Sequence, residues 1–395
     1  MISFDEALER IRAAARPLAK ESAPIDGAAG RVLAAPVIAQ IASPRCDVSA
    51  MDGYAVREAD LTALPARLQV VGESFAGSGW SRSIGEGECV RIFTGAPVPE
   101  GADRVVIQEN VRRDGEHAII EEQPGKARHI RERGGDFKYG DELLRPGRML
   151  DKRAIVAAAA ADIAQVEVFK RPRVSILSTG DELAEPGMAA ERPDAIPESV
   201  SLGVAALVGE WGGSIVSRQR LRDDLSSMER AAAHAIASSD LVLVTGGASV
   251  GEKDFAKAMF GSAALSLIFS KVSIKPGKPV WFGRSGRTLV MGLPGNPTSA
   301  LVTARLLLAP LLAGLSGREP MEALRWRSAT LKTALRDCGA RETFHRARWS
   351  GNDVEVFAFQ DSSAQKVLAD ADLLVRQNAN SPDIHAGDEI RALDF

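Results

Sequence analysis

Leu241, Val242, Leu243 and Val244 form an unbroken aliphatic run that stops at Thr245-Gly246-Gly247. A run that is apolar at every position, and not only at alternate ones, suits a strand covered on both faces, as in a parallel α/β sheet. The glycines after it let the main chain turn with positive φ and bring N–H groups close to a ligand. In an open parallel sheet, ligands collect outside the carboxyl ends of the strands, where this loop would lie. Glu252 and Asp254 follow at once, and anion-cradling amides beside a carboxylate suit a phosphate–metal site. Taken alone, a Gly-Gly pair after a strand also fits a plain turn.

The flanking sequence repeats the pattern. Val174–Leu177 reads as a strand closed by Ser178-Thr179-Gly180-Asp181-Glu182-Leu183. Ser201–Trp211 reads as a helix, Ser214–Val216 as a strand and Asp224–Ala237 as a second helix. Leu289–Met291 then runs into Gly292-Leu293-Pro294-Gly295-Asn296-Pro297, and a helix follows through about Ala313. Strands alternating with helices predict a mostly parallel, doubly wound sheet. Three of its strands end in polar, glycine-containing loops, which should converge on one cleft. Lys275 and Lys278, held three apart by a Pro-Gly turn, can present cations to phosphates or other oxyanions. Asp181, Glu182, Asp223, Asp224 and Asp254 offer the oxygen ligands that Mg²⁺ prefers.

Around this unit the composition changes. Ser3-Phe4-Asp5-Glu6 is a capping box that opens an amphipathic helix of scaffold character. Gly30–Ala39 reads as an extended connection. A glycine-bounded β-rich block follows, with strands at Leu68–Val71, Cys89–Phe93, Arg104–Asn110 and Ala118–Glu121. Asp52-Gly53 marks a turn, Thr94–Gly101 a rigid loop, and Gly134-Gly135-Asp136 the centre of a charged segment that is either a solvated face or a ligand loop. After Gly317, short alternating strands at Leu324–Leu331, Thr343–Arg348, Asp353–Phe357 and Glu389–Leu393 predict a small all-β unit. A length of 395 residues suits two to four domains. The net charge of −3 gives no bulk attraction to nucleic acid or anionic membranes, so an anionic ligand needs local cations. Cys46, Cys89 and Cys338 lack metal spacing and fit a reducing, cytoplasmic setting, and the early acids Asp5, Glu6 and Glu9 argue against a leader segment. The apolar stretch Leu306–Leu315 is expected to be too short for a bilayer.

Six ordered motifs then carry a resemblance: SAMDGYAV (Ser49–Val56), TGAPVPEGAD (Thr94–Asp103), STGDEL (Ser178–Leu183), TGGASVGEKD (Thr245–Asp254), KPGKP (Lys275–Pro279) and GLPGNP (Gly292–Pro297). In this order they resemble the molybdopterin molybdenumtransferases of the MoeA/gephyrin E-domain family. The resemblance implies an α/β multidomain chain. Residues 1–40 and 132–168 would form a helical and extended N-terminal platform in two segments, and residues 41–131 an inserted β-rich domain. Residues 169–317 would form the doubly wound α/β molybdopterin-binding domain, and residues 318–395 a small β-barrel.

The resemblance also implies insertion of molybdate into adenylyl-molybdopterin with release of AMP, Mg²⁺ present, by a homodimer. Transient contact with the molybdopterin adenylyltransferase and with molybdoenzyme maturation proteins is implied too; no contact with nucleic acid or membrane is expected, from the net charge. Carried over by motif, catalytic positions fall on Asp52, Thr94, Asp136, Glu182 and Asp254, with Glu182 and Asp254 as metal ligands. Substrate positions fall on Thr245, Gly246, Gly247, Ser249, Lys275, Lys278, Pro294, Asn296 and Ser362. Three residues depart from the pattern: Val48 and Val200 stand where Asn is common, and Asp361 where Gly is frequent. Each departure removes a polar or flexible group from a presumed ligand surface. A non-catalytic binding or scaffold paralogue is therefore the competing expectation. A related adenylylating enzyme would leave the N-terminal and barrel regions without a role.

Overall fold

The structure, a computed structural model, describes residues 1–246 and 255–395. Its central sheet has the spatial order Ser214–Leu221, Arg173–Thr179, Leu241–Thr245, Thr288–Leu293, Trp281–Ser285, Ser266–Phe269. The first four strands are parallel. Trp281–Ser285 pairs antiparallel with Thr288–Leu293, because Gly286-Arg287 turns one straight back into the other, and Ser266–Phe269 pairs antiparallel with Trp281–Ser285. Every side chain of Leu241–Thr245 and of Thr288–Leu293 is buried, as continuous apolar strands require when helices cover both faces.

Val200–Glu210 and the helical run from Pro297 cover one face, and Leu225–Ser238 the other. Ser214–Leu221 runs five residues past the expected Val216. It is an edge strand, where polar Ser217, Arg218 and Gln219 reach solvent without breaking the pairing.

The apolar helix corrects the expectation about length. Pro297–Leu315 is one 19-residue run, with a π-helical segment at Ala304–Leu308, and it is long and apolar enough to cross a membrane. It is instead a core helix: 94% of its most apolar 18-residue stretch is buried inside the fold, packed among Phe4, Ile11, Val204 and Met291. The first helix, Phe4–Ala14, is capped by Ser3 Oγ accepting from the Glu6 amide at 3.1 Å. It joins the same core, and Phe4 meets Phe344 edge-on at 4.9 Å.

Lys20–Pro24 pairs antiparallel with Gln165–Phe169 over a small core of Leu33, Leu150 and Val168. The β-rich block is a six-stranded sheet in which Gly53–Val56 lies between Arg104–Ile107 and Glu88–Ile92. The expected strand Arg104–Asn110 ends at Ile107, where Gln108–Asn110 forms a 3₁₀ turn.

At the C-terminus, Glu342–Ser350 pairs on one side with Asp353–Val356 and on the other with Leu373–Gln377. With Arg327–Leu331 and Glu389–Asp394 the five strands close into the expected barrel. Leu373–Gln377 is the strand that the sequence pattern does not show. Lys275 connects the two units, because Ile274–Lys275 pairs parallel with Glu342 and Thr343 of the barrel.

Candidate active site

The carboxyl ends of Arg173–Thr179, Leu241–Thr245 and Thr288–Leu293 lie side by side, and their loops meet as the sequence predicts. Contact is close enough to demand glycine. Gly246 has φ of +90°, and a Cβ there would sit 2.5 Å from the Thr179 carbonyl oxygen. A Cβ on Gly295 would come within 3.1 Å of Gly246 Cα. The loops bound a cleft of about 640 Å³, a volume suited to a nucleotide-sized molecule. Thr179, Glu182, Glu198, Gly246, Asn296 and Ser363 are among its walls.

Glu198 is the residue that sequence reasoning missed. It is only 7% exposed, yet it lines the cleft. One carboxylate oxygen accepts from the Ser201 amide at 2.8 Å and from Ser178 Oγ at 3.3 Å; the other accepts from Ser201 Oγ. Thr245 Oγ1 donates to Ser178 Oγ at 3.0 Å, so a chain of hydroxyls links the end of the central strand to this carboxylate. No Lys or Arg lies within ion-pair distance of it among the described residues. Three of its lone pairs are thus taken, and the one left on the second oxygen can accept from a ligand N–H, such as the amino group of an amino-heterocycle. Its sequence signal was an acid three residues before a helical serine, which by itself reads as a helix cap.

The remaining predicted carboxylates divide. Glu182 lines the cleft, its carboxylate folded against Gly180. Asp181 accepts from the Asp223 amide at 3.2 Å, and Asp224 caps Leu225–Ser238 by accepting from the Ser227 amide at 2.9 Å. That amide, followed by the Ser227 hydroxyl, holds the Asp224 carboxyl below its ordinary value. Two members of the expected Mg²⁺ set are thus used locally. Among the described residues no three His, Cys, Asp or Glu side chains group as a metal site. Gly247, Ser249, Glu252 and Asp254 lie outside the described residues.

Pro294 and Asn296 border the cleft at the start of the buried helical run. Asn296 Nδ2 donates to Ser362 Oγ at 3.2 Å, which brings the barrel to the cleft. Asn296 Oδ1 and Thr298 Oγ1 are buried without a hydrogen-bond partner among the described residues. Lys275 and Lys278 are exposed beside Pro279, which lines the cleft. Neither has a carboxylate within ion-pair distance among the described residues. Free exposed cations of this kind bind anions in a screened, salt-dependent way. Lys275→Ala or Lys278→Ala should therefore weaken AMP or molybdate binding by roughly fivefold at low salt, and by less as salt rises. Calorimetry at two ionic strengths checks this; equal affinities at low salt would leave both as turn residues.

Asp52, Thr94 and Asp136 do not line this cleft within one chain. Asp52 Oδ1 accepts from the Thr94 amide at 2.7 Å and from Thr94 Oγ1 at 2.8 Å. The amide, then the hydroxyl, hold the Asp52 carboxyl below its ordinary value, with a smaller pull from Arg91. Asp136 is exposed in a loop whose main chain bonds back to Ser43. Thr94→Ala keeps the stronger, amide bond, so Asp52 should titrate higher than in the wild type but still below a free aspartate. The sign follows from linkage. A depressed carboxyl contributes stability above its unfolded pKa and loses it as pH falls through the folded value. In the variant that loss is complete at a higher pH. NMR titration of the Asp52 carboxyl decides it, and an unmoved curve would contradict the hydroxyl's role.

The three departures also find places. Val200 is buried as the first residue of Val200–Glu210 and packs into the core with Val204. Val48 pairs with Arg131 and bridges to Pro97. Asp361 Oδ1 accepts from the Ser363 amide and hydroxyl, so it gives the loop a bond where flexibility was expected.

The chain resembles known proteins along its length. The family profile described as "MoeA N-terminal region (domain I and II)" matches residues 2–161. The one described as "Probable molybdopterin binding domain" matches residues 175–314. The chain is 34% identical over 402 residues to the molybdopterin molybdenumtransferase of Haemophilus influenzae, covering 100% of this chain and 99% of that protein. It is 32% identical to molybdopterin molybdenumtransferase 2 of Mycobacterium tuberculosis, over 97% of this chain and 96% of that one. The crystal structure of the molybdopterin biosynthesis MoeA protein of Pyrococcus horikoshii OT3 superposes with a TM-score of 0.86 at 26% identity, covering 100% of both chains.

Proposed function

This chain belongs to the MoeA family of molybdopterin molybdenumtransferases, and from that premise we propose that it inserts molybdate into adenylyl-molybdopterin and releases AMP. The observation that carries the reading is the cleft itself. It lies at three strand ends, it is large enough for a pterin nucleotide, and it combines a buried acceptor with exposed cations at its edge.

The parts of the ligand have matching parts of the site. Glu198 accepts from an N–H group of the pterin and helps fix its orientation. Gly246 brings main-chain amides to the phosphate, and Lys275 and Lys278 attract molybdate and the phosphate charge. Asn296 and Ser362 hold the far wall.

Mg²⁺ takes few carboxylates and completes its shell with water and substrate phosphate, so Glu182 with Asp254 suffices as a donor set and needs no larger cluster. Held there, it would neutralise the phosphoryl oxygens of the adenylyl group. Asp52 and Thr94 act from a second copy of the chain, each site being completed across a homodimer, and Asp136 belongs with them. The adenylyltransferase that makes the ligand and the proteins that mature molybdoenzymes are transient partners. Three free thiols suit the cytoplasm as the place of this chemistry.

A scaffold role is not favoured, since the full-length relatives are named as transferases. The test is complementation of a strain lacking the insertion enzyme, scored by a molybdoenzyme activity. Rescue is expected; failure of a soluble, expressed protein to rescue would return the scaffold reading.

A further inference from the structure

We propose that Arg346 and Asp361 are positioning residues that hold residues 357–365 in advance as one wall of the ligand cleft. The proposal rests on the reading of that cleft as the substrate site. The segment leaves the barrel after Asp353–Val356 and enters the short helix Gln365–Ala369. It is an exposed loop that would normally be mobile. Here it is tied down from beneath.

Arg346, on Glu342–Ser350, is 1% exposed, and no carboxylate lies within ion-pair distance of it among the described residues. Its guanidinium donates instead to main-chain oxygens of the loop, to Asp361 O at 2.9 Å and Ala364 O at 3.2 Å. Burying a charged fork is costly unless its N–H groups are satisfied, so this loop conformation and the buried arginine depend on each other. Gln360 adds a second tie. It donates to Arg346 O at 2.9 Å and Phe357 O at 2.8 Å, and accepts from the Arg346 amide at 3.1 Å.

Above the arginine, Asp361 accepts from the Ser363 amide at 2.8 Å and from its hydroxyl. These bonds, with a weaker attraction to Arg346, also hold the Asp361 carboxyl below its ordinary value. Ser362 then meets Asn296, while Ser363 and Gln365 face the cleft. A wall ordered before binding spares the ligand the entropy of ordering it. The consequence is an effect on affinity rather than on turnover.

Asp361 is exposed, so Asp361→Ala should fold and melt within about 2 °C of wild type. The expected result is AMP binding weakened on the order of tenfold by calorimetry, with kcat for molybdate insertion unchanged and KM raised. Amides of residues 357–365 should exchange faster in the same variant. Asp361→Asn, which keeps an oxygen for Ser363, should recover most of the affinity. Arg346→Lys, which cannot span both carbonyls, should weaken AMP binding while keeping the charge.

Faster exchange with unchanged AMP affinity would overturn the proposal, and unchanged exchange would remove the lock itself. Wild-type protein that binds no AMP would instead refute the reading of the cleft, and the proposal with it.

Discussion

Glu198→Ala is expected to weaken binding of the pterin ligand by about 10- to 10²-fold while leaving the protein folded. A hydrogen bond to a charged group contributes about 1.5–3 kcal/mol, and with three lone pairs already taken this carboxylate can receive one more from an amino-heterocycle. The variant also removes a cap from Val200–Glu210, at a cost of about 0.5–2 kcal/mol, so a fall in melting temperature of a few degrees accompanies the loss. Glu198→Gln separates the two effects. It keeps the cap and one acceptor oxygen but turns an NH₂ toward the ligand's donors, so affinity falls while stability stays closer to wild type. The loss should hardly depend on salt, unlike that at Lys275 and Lys278, because the group is buried. Wild-type affinity in a folded Glu198→Ala protein would remove this residue from the site.

Mixing two impaired variants should restore activity. Asp52 and Thr94 bond to each other but stand apart from the cleft of their own chain, so on this account they complete the cleft of a partner. Assayed at substrate well below the wild-type KM, Asp52→Ala and Glu198→Ala should each have little activity as homodimers. A heterodimer then holds one doubly defective site and one intact site. Random subunit exchange makes half the dimers heterodimers, so about a quarter of wild-type activity should return if the sites are independent. Mass measurement of tagged pairs establishes that exchange has occurred. Background activity in proven heterodimers would confine each site to one chain.

Much of this fold is legible because its strands are apolar at consecutive positions. Val174–Leu177 and Leu241–Val244 need helices on both faces, and the glycines at their ends need ligand or backbone close by. The edges are harder to read. Ser217, Arg218 and Gln219 belong to a strand because their neighbour supplies the pairing, which local composition does not show. The antiparallel return at Gly286-Arg287 is likewise a choice of topology.

At the site, spacing identifies Glu182, Gly246 and Asn296 as neighbours of one cleft. It does not separate a free carboxylate from one consumed by a cap. Asp224 and Glu198 each cap a helix, yet only Glu198 faces the cleft. Asp361 shows the reverse: a change that removes flexibility from the loop supplies an internal bond in its place.

The central claim is the coupling of AMP release to molybdenum insertion. Purified protein, loaded with adenylyl-molybdopterin and given molybdate and Mg²⁺, measures it directly. The account predicts one AMP released for each molybdenum retained on the pterin, and no release when molybdate is withheld. AMP released without molybdenum retained, or no reaction from folded protein that binds the ligand, would contradict it.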